Sequence, residues 1–209
     1  VTYAPYGDNA TYYHPPVERF QSVEVVKGSA QIAYGPVTVG GVINYLTPAP
    51  PAHPEGALHL AAGSRDYFNG LASGGGTFGK TALLGEYMRK QGDGSRDNVH
   101  SQVDDLNLKA VFTLNPRHSV TLKGNYYDED SQITYSGLTQ AEYEAAPRQN
   151  PFENDGFDGQ RLGGSLKHTW LVGSQALLVT HVYGSTFSRD WWRQSSNSGQ
   201  RPNDSRDPK

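Results

Sequence analysis

The chain has 209 residues, with 24 glycines, 13 tyrosines, no cysteine and a formal net charge of −3 at pH 7. The lack of cysteine excludes disulfide frameworks, thiolate metal sites and cysteine nucleophiles, and the near-neutral charge gives no electrostatic basis for nucleic-acid binding. No apolar run reaches the ~20 residues of a membrane-spanning helix, whereas the many Gly, Tyr, Thr and Ser residues favour β structure.

The first 50 residues differ from the rest of the chain. Two strands are predicted there, over Phe20–Val26 and Val42–Leu46, with a short helix over Ala30–Tyr34 between them. Prolines, which cannot donate to a β ladder, then mark a boundary at Pro48, Pro50, Pro51 and Pro54. We therefore expect two structural parts, residues 1–50 and 51–209. Because neither end of the sequence looks finished, we also expect the chain to be a segment of a longer protein.

From Gly56 onward, apolar and polar residues alternate with the period of two that is typical of β-strands. The alternation is clearest in Leu106–Leu114, Val120–Tyr127 and Arg161–Trp170. Less regular strands are predicted over residues 57–64, 67–77, 80–91 and 175–190. The second part should thus contain about seven strands, many of them longer than the ~5–6 residues that are usual in soluble sheets.

The connections between these strands alternate in length. Short turns are predicted near residues 77–80, 115–118 and 171–174, and longer polar loops at 92–103, 131–159 and from 193 on. This pattern is typical of outer-membrane barrels, in which polar residues face a wet lumen and apolar residues face lipid. Aromatic residues near strand ends are expected to form the upper interfacial girdle, namely Tyr126, Tyr127, Phe187, Trp191 and Trp192. A soluble antiparallel sandwich alternates too and stays open as an alternative.

One segment carries a family resemblance. Residues Val17–Thr47 read VERFQSVEVVKGSAQIAYGPVTVGGVINYLT, which resembles the end of the plug domain of TonB-dependent outer-membrane receptors. The matching positions are Glu18, Arg19, Lys27, Gly28, Tyr34, Gly35, Gly40, Gly41 and Asn44. We interpret them as determinants of the fold, because glycines permit tight turns and close backbone approach.

The resemblance implies a mainly β fold in two incomplete domains. Residues 1–50 would be the C-terminal part of an α+β plug domain. Residues 51–209 would be the first ~7 strands of an antiparallel transmembrane β-barrel of about 22 strands. The family resides in the bacterial outer membrane, in contact with lipid and lipopolysaccharide.

The resemblance also implies a function. Such a receptor binds a ferric siderophore or a similar iron chelate, and TonB, acting through an N-terminal box that this segment lacks, drives uptake into the periplasm. It is no enzyme, needs no cofactor because iron travels within the chelate, and has no nucleic-acid partner. The same scaffold also carries cobalamin, haem, nickel chelates and oligosaccharides, so the ligand stays open.

Two further segments, Val103–Lys109 and Gly137–Tyr143, look like parts of the ferric-citrate receptor branch. In that branch an arginine that binds the anion is expected just before the plug Tyr-Gly pair. Ala33 stands at that place here. The departure weighs against citrate itself and leaves the iron-chelate class in place.

Candidate ligand contacts follow from the chemistry of such chelates, which are often anionic and oxygen-rich. Arginine can form bidentate hydrogen bonds with carboxylates, and aromatic rings can stack on the apolar parts of a chelate. The candidates are Tyr3, Tyr6, Tyr12 and Tyr13 before the plug motif, Arg148 and Gln149 in the long loop 131–159, and Arg189, Trp191, Trp192 and Arg193 at the end of the last strand. Each aromatic has girdle or loop packing as its alternative role, and Arg148 and Arg193 could be solvated loop charges.

Other motifs favour no catalysis and no metal site. Gly74–Thr81 reads GGGTFGKT and fits a P-loop, but the competing interpretation is a turn between two strands with Gly79 and Lys80 at its tip. The seven histidines lack metalloenzyme spacing, Asn154–Gly159 lacks a calcium-loop pattern, and no nucleophile elbow is present. The alternative function is a soluble β-rich module that binds carbohydrate or another ligand.

Overall fold

The computed structural model describes residue 13 and residues 15–28, 41–134 and 137–193. The chain divides into two units, Val1–Ala49 and Pro50–Lys209, with the division one residue before the boundary that the prolines predict. The helix predicted over Ala30–Tyr34 lies outside the described residues.

The first unit contains a two-stranded antiparallel sheet, formed by β1 (Ser22–Val26) and β2 (Val42–Leu46). A short 3-10 helix, Val17–Arg19, precedes β1. The register places Glu24 directly opposite Asn44. Both predicted strands are therefore present, and β1 begins two residues later than expected.

The described residues of the second unit form one seven-stranded antiparallel sheet in which each strand pairs with its neighbour in the chain. The strands are β3 (Glu55–Ala62), β4 (Phe68–Phe78), β5 (Thr81–Asp93), β6 (His100–Asn115), β7 (His118–Gln132), β8 (Gly156–Val172) and β9 (Ala176–Trp192). The five strands from β5 to β9 have 13, 16, 15, 17 and 17 residues. Each of the seven predicted strands is present, but β6 and β8 begin six and five residues earlier than predicted, within the loops predicted at 92–103 and 131–159.

The two ends of this sheet differ. At one end, called the turn end, the connections are residues 79–80, 116–117 and 173–175; at the other, the loop end, they are residues 63–67, 94–99 and 133–155. Gly79 has φ +62° in the first of the short turns. The P-loop hypothesis for Gly74–Thr81 is therefore wrong, because a P-loop needs a helix after its glycines and here β5 follows.

The register also defines two faces, because directly opposed residues project to the same side of a sheet. The apolar face includes Leu106, Leu108, Ala110 and Phe112 of β6, with Leu122, Leu162 and Leu166 on the following strands. The polar face includes Asp105, Lys109, Lys123, Arg161 and Lys167. Leu108 is 55% exposed, whereas Leu84, Met88 and Arg161 of the polar face are buried.

The apolar face ends in aromatic and polar residues. Towards the loop end, the Tyr126 hydroxyl donates to Asp128 Oδ1 at 3.3 Å and the Tyr87 hydroxyl donates to Asp104. Towards the turn end, His118 stacks on His168 and Trp170, with ring centroids 5.2 and 5.4 Å apart.

One part of the girdle prediction is wrong. Tyr127, Phe187 and Trp191 lie on the polar face, whereas Tyr126 and Trp192 lie on the apolar face. Consecutive residues of a strand project to opposite faces, so neither Tyr126 and Tyr127 nor Trp191 and Trp192 can both face lipid.

A row that is glycine on six of the seven strands, with Leu108 on β6, crosses the apolar face. The directly opposed residues of this row are Gly56, Gly74, Gly85, Leu108, Gly124, Gly164 and Gly184. A Cβ atom added at Gly124 or Gly184 would have no atom within 4 Å. Crowding therefore does not explain glycine at these two positions.

The connection 133–155 contains one element that the alternation could not show, α1 (Gln140–Ala145). A capping box starts it, in which the Thr139 hydroxyl accepts from the Glu142 N–H and the Glu142 carboxylate accepts from the Thr139 N–H at 2.6 Å. Thr139 and Glu142 form the Thr-x-x-Glu sequence typical of such a start. Within the described part of the chain, no helix is long and apolar enough to cross a membrane.

Candidate functional site

A row of functional side chains crosses the polar face near the loop end. The register places Asp105 of β6, Tyr127 of β7 and Arg161 of β8 directly opposite one another. Their exposed fractions are 1%, 4% and 9%. A buried carboxylate and a buried guanidinium are costly unless hydrogen-bonded or paired. Asp105 accepts from the Asn107 side-chain amide, and Arg161 also has an interaction partner.

A hydrogen-bond network holds Glu129, the next residue after Tyr127 on the polar face of β7. The Glu129 carboxylate accepts from the Tyr127 hydroxyl at 2.6 Å and from Ser131 Oγ at 3.0 Å. Ser131 in turn lies 2.8 Å from Ser101 Oγ on β6. Because both oxygens of Glu129 have donors, the phenol and the carboxylate are held in one orientation.

The end of β9 adds a second arginine and an aromatic ring to the same face. The Arg189 guanidinium lies 5.6 Å from the centroid of the Trp191 ring. Arg189 is directly opposite Gly159, and Phe187 is directly opposite Arg161, so Arg161 and Arg189 are diagonal neighbours across β8 and β9. We call this group, Tyr127, Glu129, Arg161, Arg189 and Trp191, the loop-end wall.

The loop-end wall suits an anionic ligand with flat or apolar parts. Two guanidinium groups can fork onto carboxylate or catecholate oxygens, and the rings offer stacking surfaces. Sequence reasoning selected Arg189 and Trp191 but missed Tyr127 as a site residue, together with Glu129 and Arg161. The signal for Tyr127 was present, because the alternation already put it on the same side as Lys123 and Asn125.

The two remaining candidates at the end of β9, Trp192 and Arg193, do not belong to the loop-end wall. Trp192 lies on the apolar face, opposite Gly156, and lines a cleft of about 430 Å³ with acidic residues that include Asp130, Asp158 and Asp190. Arg193 directly follows β9. The structure therefore does not bring Trp192 together with Trp191.

Arg148 and Gln149 have contacts within the loops. Arg148 Nε lies 3.7 Å from Asp97 Oδ1, and the Asp97 N–H donates to the Arg148 carbonyl at 2.7 Å. The Gln149 side-chain amide donates to the Glu142 carbonyl of α1. Arg148 therefore ties the connection 133–155 to 94–99, and Gln149 holds the end of α1. A role of either in ligand binding stays a prediction.

The tyrosines predicted before the plug motif are only partly described. Tyr13 is buried, and its hydroxyl accepts from Arg19 Nη1 at 3.4 Å. Tyr3, Tyr6 and Tyr12 lie outside the described residues, so their role as ligand contacts stays a prediction.

The motif residues of the first unit make local contacts. The Asn44 side chain donates to Glu24 Oε2 across the sheet at 3.0 Å, and Arg19 of the 3-10 helix that also holds Glu18 lies over the Phe20 ring. Gly28 and Gly41 have φ +75° and +139°, Gly28 directly follows Lys27, and a Cβ at Gly41 would lie 3.2 Å from the Val26 carbonyl. Tyr34, Gly35 and Gly40 lie outside the described residues. These contacts all lie within the first unit, and the role of the motif residues as determinants of the fold stays a prediction.

Among the described residues, no group of three or more His, Cys, Asp or Glu side chains could hold a metal ion.

Comparison with known proteins identifies the fold. No family model matches the chain. Among solved structures, the ferric citrate transporter FecA in its unliganded form is 25% identical, with a TM-score of 0.79 over 92% of this chain. The ferric-catecholate import receptor Fiu from E. coli K12 is 17% identical over 83% of this chain (TM-score 0.70), and the siderophore receptor PiuA from Acinetobacter baumannii is 18% identical over 83% (TM-score 0.68).

The chain has the fold of a TonB-dependent siderophore receptor. It spans 30%, 29% and 27% of the lengths of these three structures, so the seven-stranded sheet corresponds to part of a receptor barrel. The predicted fold class and family resemblance are thereby confirmed, and the same similarities bear out the predicted outer-membrane location. In a receptor barrel the apolar face meets lipid and the polar face meets the lumen.

Proposed function

We propose that the protein containing this chain is a TonB-dependent outer-membrane receptor that carries a ferric siderophore, or a similar iron chelate, into the periplasm. The observation that carries this proposal is the similarity to FecA over 92% of the chain. The relatives are transport receptors rather than enzymes, which fits a protein without catalysis. Residues 1–50 would belong to the plug and residues 51–209 to the barrel.

The loop-end wall supports an anionic chelate as the transported species. Arg161 and Arg189 lie on the lumenal face at the end of the sheet where the long connections gather, as expected for the outer entrance of a receptor barrel. Iron would enter and leave as part of the chelate, without a resident cofactor. TonB would engage a part of the protein outside this chain, and outer-membrane lipid and lipopolysaccharide would surround the apolar face.

The proposal is tested by uptake of iron. Cells that lack their own siderophore receptors express the full-length protein and receive ⁵⁵Fe as ferric citrate, as a ferric catecholate or as ferripyoverdine. We expect saturable accumulation of at least one chelate that disappears when TonB is deleted. Equal accumulation with and without TonB, or no accumulation of any of the three, contradicts the proposal.

A variant with Arg161→Ala and Arg189→Ala tests the loop-end wall within the same assay. Loss of two charge-assisted hydrogen bonds should weaken surface binding of the accumulated chelate by about tenfold or more. The conservative pair, Arg161→Lys and Arg189→Lys, keeps the charge but cannot form bidentate hydrogen bonds, so an intermediate affinity is expected. Unchanged affinity in both variants would remove these arginines from the site.

A further inference from the structure

A second group of charges lies on the lumenal face, nearer the turn end than the loop-end wall. The register places Lys109 of β6 directly opposite Lys123 of β7, and Lys167 of β8 directly opposite His181 of β9. Lys167 is also directly opposite Thr121, two residues from Lys123 on the same face. The four side chains therefore form one continuous group, called the lysine cluster.

The lysine cluster is unbalanced in charge. From the row of Asn107, Asn125, Gly163 and Ser185 to the turn end, the lumenal face of β6–β9 carries these three lysines and one histidine, and no Asp or Glu. On the same strands, the loop-end half of this face has two carboxylates and two arginines, Asp105, Glu129, Arg161 and Arg189. Glu86 of β5, opposite Asn107, is the neighbouring carboxylate and offsets only one of the three lysines.

This arrangement costs stability. Like charges directly opposite each other in a sheet are destabilising, and Lys109 and Lys123 form such a pair. Hydroxyl groups lie between the lysines, because Thr121 and Ser165 are directly opposite Lys167 and Lys123. A wall of ammonium and hydroxyl donors is chemically complementary to an oxygen-rich anion.

The lysine cluster is displaced from the loop-end wall along the strands. Lys123, its nearest member, is four residues from Tyr127 on β7, which is about 13 Å along a strand. Arg161 and Lys167 are six residues apart on β8, which is about 20 Å along a strand. An anion that reaches Lys167 has therefore moved from the loop-end wall towards the turn end.

We propose that the lysine cluster is a second, lumenal binding site for the carboxylate or catecholate oxygens of the anionic ferric chelate during its passage to the periplasm. The inference rests on the proposed function and adds a second binding site to the path that the chelate follows through the barrel. It predicts an effect on uptake without an effect on binding at the outer surface.

The test compares two triple variants of the full-length protein. One carries Lys109→Gln, Lys123→Gln and Lys167→Gln, and the matched control carries Arg at the same three positions and so keeps the charge. Uptake of ⁵⁵Fe supplied as ferric citrate, a ferric catecholate and ferripyoverdine is measured in cells with TonB, and surface binding is measured in cells without it. Outer-membrane amounts are equalised by immunoblot, and folding is checked by the heat-dependent mobility of the barrel on gels.

We expect the Gln variant to take up the accumulated chelate about tenfold more slowly with unchanged surface affinity, and the Arg variant to stay within about twofold of wild type. Equal uptake by the Gln variant and wild type overturns the inference alone. No uptake of any chelate by wild type contradicts the proposed function, and the inference with it.

A third outcome separates two sources of carboxylate. If the lysines hold acidic side chains of the plug instead, the Gln variant should loosen the plug and admit vancomycin, an antibiotic that intact outer membranes exclude. Raised vancomycin sensitivity in the Gln variant, and not in the Arg variant, would therefore overturn the assignment to the chelate. Unchanged sensitivity together with slow uptake supports it.

Discussion

At the scale of single residues, two strand glycines differ in whether their surroundings require glycine. Gly75 is on the lumenal face, opposite Leu84, and a Cβ there would lie 2.3 Å from the Leu83 carbonyl oxygen. Gly124 is on the apolar face, and a Cβ there would meet no atom within 4 Å. Backbone crowding fixes the first and leaves the second free to change.

This contrast predicts unequal costs of alanine at the two positions. Gly75→Ala should lower the free energy of unfolding by about 1–3 kcal/mol, because the backbone of β5 must move. Gly124→Ala should stay within about 0.5 kcal/mol of wild type. Urea unfolding of the full-length protein in lipid vesicles, followed by heat-dependent gel mobility, measures both. A larger loss of stability for Gly124→Ala than for Gly75→Ala would show that crowding of the added Cβ does not determine the cost.

At the scale of the strand, the assignment of faces can be tested with one pair of neighbours. Leu108 points to the apolar face and Asn107 to the lumenal face, opposite Glu86. Leu108→Arg should cost about 2–4 kcal/mol, the usual penalty for arginine on the lipid face near the bilayer centre. Asn107→Arg gains a carboxylate partner and should cost little. The folded fraction of each variant in lipid vesicles measures these costs. A greater loss for Asn107→Arg than for Leu108→Arg would mean that the two faces are assigned the wrong way round.

The strands were predictable because their pattern is local. Leu106–Leu114 alternates so regularly that its period of two could be read directly, and the structure extends the same pairing over 16 residues. The girdle prediction failed at Tyr127, Phe187 and Trp191 because nearness to a strand end was allowed to outweigh this alternation. Arg161 was missed because membership of the loop-end wall depends on pairing with β7 and β9, which no single strand encodes.

The connection 133–155 holds the element that depends most on tertiary structure. Phe152 is 0% exposed, and its N–H donates to Asn150 Oδ1 at 3.1 Å. A polar loop sequence gives no sign of such burial. The capping box of α1 could have been found from Thr139 and Glu142, since its signature is confined to four residues.

Loss of this buried ring should loosen the connection. Phe152→Ala should cost about 3–5 kcal/mol locally and speed trypsin cleavage after the exposed Arg148. The matched control is Tyr143→Ala on α1, because Tyr143 is 58% exposed and its loss should leave cleavage unchanged. Equal cleavage rates in Phe152→Ala and wild type would mean that Phe152 does not anchor the loop.

At the scale of the whole molecule, the sheet has two unpaired edges, since β3 and β9 each pair on one side within the described residues. Its apolar face exposes Leu58, Leu108, Leu162 and Val182 to more than half of their area. Open edges and large apolar patches promote association. A receptor barrel removes both features by closure and by lipid.

The 209-residue chain expressed alone should therefore aggregate in buffer without detergent. Analytical centrifugation should show large or heterogeneous species, whereas the full-length protein in detergent should sediment as one species. A stable, monodisperse monomer of the 209-residue chain would instead favour the soluble binding module.

The row of six glycines and Leu108 on the apolar face has a geometric consequence for such a barrel. Its members are directly opposite one another, so the row runs at right angles to the strands, and barrel strands are tilted by about 35–45° from the membrane normal. The row must therefore follow a helical path around the barrel wall and rise along the barrel axis from one strand to the next. Along this row, lipid tails would meet main-chain atoms on six strands and the Leu108 side chain on β6, at a depth in the bilayer that changes from one strand to the next.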